Sequence, residues 1–174
     1  MKLFVSPHND DAVLFGAFTL QRDQPLVLTV FDSYVQRGIS ISERRHEDFE
    51  AMLIMGCALK FGGVSDSAPD NGEAMAALQV YQPTTVWLPA EEPGGHPQHN
   101  LIARLGREVF RGSVIHYYLT YTTRGKSTGG RRVDYTGRML RKKLQALACY
   151  KSQIEIDALG CAEHFIRDQS EYML

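Results

Sequence analysis

The sequence predicts an α/β fold: a mostly parallel sheet sandwiched in three layers between helices. Apolar runs of strand length recur along the chain without the alternation of a one-sided sheet, as expected for strands buried on both faces. Between them lie longer segments of helical period. Polar, Gly- and Pro-bearing turns punctuate the two, and such alternation of strand and helix is the signature of crossover-connected parallel sheets.

The first run, KLFVS at 2–6, is stopped by Pro7. AVLFGAFTLQR at 12–22 is apolar nearly all round, as a helix pressed on a sheet would be. PLVLTVF at 25–31 is a second interior strand, rich in β-branched residues. After a polar loop at 32–41, Ser40 and Glu43 stand in capping-box spacing ahead of a helix. Its apolar face is expected to be Phe49, Met52, Leu53 and Gly56. CALKFGG gives a third strand, 72–81 a helix, and TTVWLPA at 84–90 a fourth strand. A further helix starts at or just after Pro97, a residue suited to a first turn, with Ile102, Leu105 and Val109 inward. SVIHYYLTY is a fifth strand, and 122–136, with Gly125, Gly129 and Gly130, has loop composition. RMLRKKLQALACY aligns Leu140, Leu144 and Leu147 on one helical face, and a last helix is expected over 157–172.

At 174 residues, with 44% hydrophobic and 22% charged residues, the chain fits a single domain over 1–174. A net charge of −1 argues against nucleic-acid or membrane partners, and oligomeric state is not legible. Cys57, Cys149 and Cys161, odd in number and widely spaced, suit a reducing cytoplasm better than a disulfide framework. The N-terminal apolar run is too short for a signal peptide, and no stretch is long enough for a transmembrane helix.

In open α/β sheets, ligands bind outside the carboxyl ends of the strands. Two polar turns are expected there: SPHNDDA, with His8, Asp10 and Asp11, and AEEPGGHPQH, with His96 and His99. Two imidazoles and a carboxylate with one open position are the usual donors of a catalytic zinc site. Each residue also has an ordinary reading. An aspartate at a helix start is often an N-cap, and a histidine there is often only a surface residue. It is the pairing of two histidine-bearing turns at one sheet edge that capping explains poorly.

These residues are similar to a family. SPHNDDA resembles the (A/S)HPDDE turn of the LmbE/PIG-L zinc-dependent N-deacetylases, and GGHPQHN resembles their HPDH motif. Arg44-x-x-Glu47-x-x-x-Ala51-x-x-x-Met55-Gly56 is similar to the family's RxxExxxAxxxLG helix, GGVSDSA to its GFPDG turn, and KLQALACYKSQ to its KxxALxxHxSQ segment. The matches keep the family's order from Ser6 to Gln153. The resemblance implies a Rossmann-like sheet and one Zn2+ hydrolysing an amide, usually the N-acetyl group of a small amino sugar or glycoside. By the same resemblance His8, Asp11 and His99 are the zinc ligands and Asp10 the general base. His96 steadies the oxyanion or protonates the amine, a role that on chemical grounds an imidazolium would fill, and Arg44 and Asp66 lie near the substrate.

Three positions depart from the pattern: Asn9 for Pro, Ala12 for Glu and Gln98 for Asp. Loss of carboxylates at 12 and 98 removes groups expected to orient ligands, which would lower metal affinity. A catalytically silent metal- or sugar-binding protein, or an amidase for another small amide, is therefore the alternative reading. A nucleotide binder fails because no GxGxxG follows the first strand. Eight Lys/Arg fall between Arg124 and Lys143 against one acid, Asp134. That segment, with Arg131 and Arg132 as expected substrate contacts, reads as an anion-binding surface or mobile lid, or simply as a solvated face. Arg44 and Arg45 at a helix start oppose its dipole, which points to a paired or substrate-facing role; Glu47 or Asp48 is an equally simple partner. Trp87 is expected in the core, His46, His116 and His164 in structural or surface roles, and the cysteines as buried thiols.

Overall fold

The computed structural model describes residues 1–33, 38–152 and 169–174. In chain order the elements are β1 (Lys2–Ser6), α1 (Asp11–Asp23), β2 (Leu26–Phe31), α2 (Ile41–Met55), β3 (Leu59–Val64), α3 (Asn71–Gln79) and β4 (Thr85–Pro89). They continue with α4 (Pro97–Val109), β5 (Val114–Tyr118), β6 (Tyr121–Thr122), β7 (Gly125–Lys126), β8 (Arg131–Arg132), α5 (Gly137–Leu147) and β9 (Tyr172–Met173). The main sheet runs β3-β2-β1-β4-β5-β9-β8. β1 to β5 are parallel, and β9 and β8 extend the sheet antiparallel. The order reverses between β1 and β4, which opens a crevice at their carboxyl ends.

The strands are buried on both faces, as their unalternating composition requires. In β1, Phe4 joins the core beneath α1, α2 and α5, while Leu3 and Val5 join the core beneath α3 and α4. Two glycines let helices close on the sheet. A Cβ on Gly16 of α1 would lie 2.3 Å from the Phe4 ring, and one on Gly106 of α4 would lie 2.6 Å from Leu88.

Several expected faces are shifted. In α2 Met52 is buried, but Phe49 and Leu53 are exposed, and the inward stripe is Arg44, Glu47, Asp48, Ala51, Met52 and Met55. The charged members go inside because each has a partner. Asp48 accepts from the Thr29 and Tyr150 hydroxyls at 2.7 and 2.8 Å, and Glu47 takes the backbone N–H and the hydroxyl of Ser152. The segments expected to carry family motifs at 44–56 and 143–153 are thus tied through Glu47 and Asp48. In α5, Leu144 is exposed while Lys143 is fully buried. Lys143 Nζ donates to Glu171 at 2.8 Å and to the Leu14 carbonyl at 2.8 Å, and Glu171 accepts from the Phe18 N–H. The pair thus reaches the C=O and N–H of one i, i+4 step of α1.

The segment expected to be a loop at 122–136 includes the β6–β7 hairpin and strand β8. The last helix lies outside the described residues up to 168, and its expected end is instead strand β9, paired to β5 and β8. Trp87 is buried and stacks on His116. Cys57 and Cys149 are free and only half-buried; Cys161 and His164 lie outside the described residues. Among the described residues, no helix is long and apolar enough to cross a membrane.

Candidate metal centre and active site

The turn after β1 is held by its own polar atoms. Ser6 Oγ accepts from the Ala12 N–H at 3.0 Å and donates to the His8 carbonyl at 2.7 Å. The Pro7 carbonyl accepts from Phe31 N–H, fixing the turn to β2. Ser6 therefore serves the first helical turn, and Asp10, although at the N-cap position, makes no capping hydrogen bond. Capping does not account for Asp10. Asp11 Oδ2 accepts from the backbone N–H of His8 at 2.8 Å.

The turn after β4 delivers the other half. Gly94 takes a left-handed φ of +75°, and Asn100 Oδ1 accepts from Glu92 N–H at 2.9 Å. Pro97 stands in the first helical turn of α4. The β6–β7 hairpin is bridged to this turn at Gly95 and Thr122.

Across the crevice three donor atoms converge. His8 Nδ1 and His99 Nε2 each lie 3.0 Å from Asp11 Oδ2 and 3.2 Å from one another. Metal–donor bonds of 2.0–2.1 Å at a tetrahedral angle put donor atoms about 3.3 Å apart. The triangle is therefore of the size a zinc ion requires, and the donor types are those such an ion takes. Hydrogen bonding decides which ring nitrogen of His8 an ion would use. Gln98 Nε2 faces two acceptors, the Asp66 carbonyl and Oδ1 at 2.7 and 2.6 Å, so its Oε1 must be the atom 2.6 Å from His8 Nε2. His8 Nε2 is then the donor, and in the neutral ring Nδ1 carries the lone pair toward Asp11 and His99. His99 Nδ1 is 3.1 Å from Thr120 Oγ1. His96 joins the same group: one ring nitrogen each of His8, His96 and His99 lies within 4.8 Å of the others.

The electrostatics are those of a site built for positive charge. Burial opposes a proton on His8, but the hydrogen bond and charge of Asp11, then those of Asp66, raise it to about 10. Asp11 is also disfavoured as an anion by burial, yet His99 and His8 hold it far below the usual carboxylate range. Asp10 is raised, by burial and then by the charge of Asp11. His96 is lowered to about 4, by burial and then by His8 and His99. The resting ring of His96 is thus neutral at pH 7, not the imidazolium the sequence suggests. Among the described residues its buried Nδ1 has no hydrogen-bond partner.

Arg44 and Asp66 reach this crevice. Arg44 is 5% exposed, with Nη1 3.7 Å from Asp66 Oδ2 and its Nε without a hydrogen-bond partner among the described residues. Arg45 pairs with Asp32, so the two helix-start cations take Asp66 and Asp32 as partners in place of Glu47 or Asp48. Arg131 and Arg132 are exposed on the edge strand β8, where Arg132 lies over the Tyr135 ring. Of the three departures, Gln98 meets a candidate ligand directly, its amide oxygen 2.6 Å from His8 Nε2. Two contributors escape sequence reading, Thr120 behind His99 and Tyr121, whose ring lies 5.3 Å from His99 and 6.1 Å from His96. The one available signal is their position at the end of β5, the strand beside β4.

No family model and no curated protein sequence matches the chain. Solved structures do. A deacetylase triple mutant involved in the teicoplanin biosynthetic pathway superposes with a TM-score of 0.78 at 23% identity, covering 95% of this chain and 88% of that one. The zinc-inhibited form of teicoplanin deacetylase gives 0.75 at 18% identity, covering 97% and 89%. The 4-carboxy-2-hydroxymuconate hydratase of Pseudomonas putida gives 0.70 at 19% identity, covering 96% and 84%. The chain shares its fold with all three, and this is the fold that the motif resemblance implies.

Proposed function

We propose that the chain is a zinc-dependent hydrolase that removes an N-acyl group, acetyl in the first instance, from a small amino sugar or glycoside. The observation that carries this reading is the donor triangle of His8, Asp11 and His99, which these residues would present to Zn2+. Such an ion, when bound, lowers the pKa of its water and polarises the amide carbonyl. A deacetylase with this fold supports the deacylase reading, and the zinc-inhibited form of another shows that zinc acts on a protein of this fold. Free Cys57 and Cys149 support a reducing compartment such as the cytoplasm.

The remaining roles belong to the chain itself. Asp10, uncommitted to capping, takes a proton from the attacking water as the new C–O bond forms. His96, neutral at rest, offers an N–H to the developing oxyanion. The C–N bond then breaks, the amine leaves with the proton that Asp10 took, and the acyl group leaves as a carboxylic acid that gives its remaining proton to solvent. Arg44 and Asp66 face the substrate beside the reacting groups, a donor and an acceptor suited to polar substituents.

Amine release from a panel of N-acetylated sugars and glycosides tests the reading. The zinc-loaded chain should release amine, and Asp10→Asn should lower kcat by about 10²–10⁴-fold while retaining zinc. The hydratase that shares the fold makes amine release, not metal content, the deciding measurement: zinc binding without any amine release across the panel refutes a deacylase.

A further inference from the structure

We propose that Gln98 is a positioning residue that sets the metal-binding form of His8, with Asp66 holding the Gln98 amide the right way round. The inference rests on the assignment of His8 as a zinc ligand. Gln98 is 8% exposed, and its amide group is spent on two residues. Oε1 receives His8 Nε2–H at 2.6 Å, and Nε2 donates to the Asp66 carbonyl and to Asp66 Oδ1.

An amide is directional where a carboxylate is not. Turned over, Gln98 would present an NH2 group to His8 Nε2, which would then have to accept and place its proton on Nδ1. Nδ1 would then point N–H at His99 Nε2 and Asp11, and would have no lone pair for a metal. Asp66 forbids that flip, because its two oxygens would meet the amide oxygen with no proton between them. A carboxylate at position 98 would serve His8 equally well but would stand against Asp66, acceptor to acceptor and charge to charge. The amide accepts from His8 and donates to Asp66 at once. It therefore keeps Asp66 in the crevice, 3.6 Å from His8 Nε2 and 3.7 Å from Arg44. Ligand orientation is thereby linked to the loop between β3 and α3, a part of the chain that supplies no donor atom to the triangle.

The test is zinc affinity of the metal-free protein, measured by competition with a chromophoric chelator on wild type, Gln98→Leu and Gln98→Glu, each checked for folding by thermal unfolding. Gln98→Leu should bind zinc about 10–100-fold more weakly, the usual cost of removing a group that orients a ligand histidine. Gln98→Glu, which restores an acceptor for His8, should bind within a few-fold of wild type. Asp66→Ala, which removes no donor atom but frees the amide to turn, should fall between the two. Wild-type affinity in Gln98→Leu overturns the proposal and leaves the hydrolase reading standing; so does a Gln98→Glu variant as weak as Gln98→Leu. A wild-type chain that binds no zinc overturns both.

Discussion

In the crevice above β1 and β4, three ligand-type atoms face one another within 3.2 Å, while along the basic segment from Arg124 to Lys143 the cations go separate ways. Arg124, Arg131, Arg132, Arg138 and Arg141 are exposed. Lys126 binds the Ser170 carbonyl and Lys142 the Met55 carbonyl at the end of α2, while Lys143 is sealed inside with Glu171. The basic segment has the higher linear charge density, but the crevice has the convergence. Charge gathered in sequence marks a site only where the fold turns the groups toward one point, and here the cations are spread over a hairpin, an edge strand and a helix, with Lys143 alone turned into the core.

Replacing Lys143 should give the largest effect outside the crevice. Lys143→Met strands Glu171 as a buried, unpaired carboxylate and should cost about 3–5 kcal/mol of stability, read from denaturant midpoints, with zinc affinity unchanged. Lys143→Met with Glu171→Leu should recover most of it, since no buried charge is then left without its partner. An unaltered midpoint in the single variant would mean that Lys143 is as dispensable as its surface neighbours.

Asp48 sharpens the crevice side of the contrast. Burial, together with the charge of Asp10, raises it to about 7 despite the Thr29 and Tyr150 hydrogen bonds. The folded state therefore holds this proton more tightly than the unfolded chain. The group weakens the fold progressively as pH rises from about 4 through 7, with the full penalty above that. Urea unfolding across pH 4.5–8 should show a steeper decline for wild type than for Asp48→Asn; equal slopes would show that Asp48 does not titrate in this range. The smallest effect is expected at Arg131 and Arg132. Their double replacement by Ala should alter KM less than about twofold and stability by about 0.5–1 kcal/mol, the value of the exposed Arg132–Tyr135 contact. A large rise in KM would return the basic segment to the substrate site.

Much of the fold is legible in the sequence because strand length, unbroken apolarity and helix-start chemistry are local properties. Ser40 receives the Glu43 N–H as a cap, α4 begins at Pro97, and the parallel core strands fall where apolar runs lie. Phe49 and Leu53 are misread because α2 is rotated by partners 19 and 102 residues from Asp48, which no periodicity encodes. In the crevice, residue types and their two turns are visible in the chain. Which histidine lies against which carboxylate is not, since His8 and His99 are 91 residues apart.

The sequence by itself determines the parallel α/β architecture and places the histidines and carboxylates at strand ends, because buried strands and tight turns are written in neighbouring residues. Only the tertiary structure decides that Ser6 relieves Asp10 of capping, that Gln98 serves His8 and Asp66 together, and that Lys143 is a core residue. Each of those outcomes is a competition for hydrogen-bond partners and space among segments distant in the chain, and burial, which is a property of the whole fold, selects the winner.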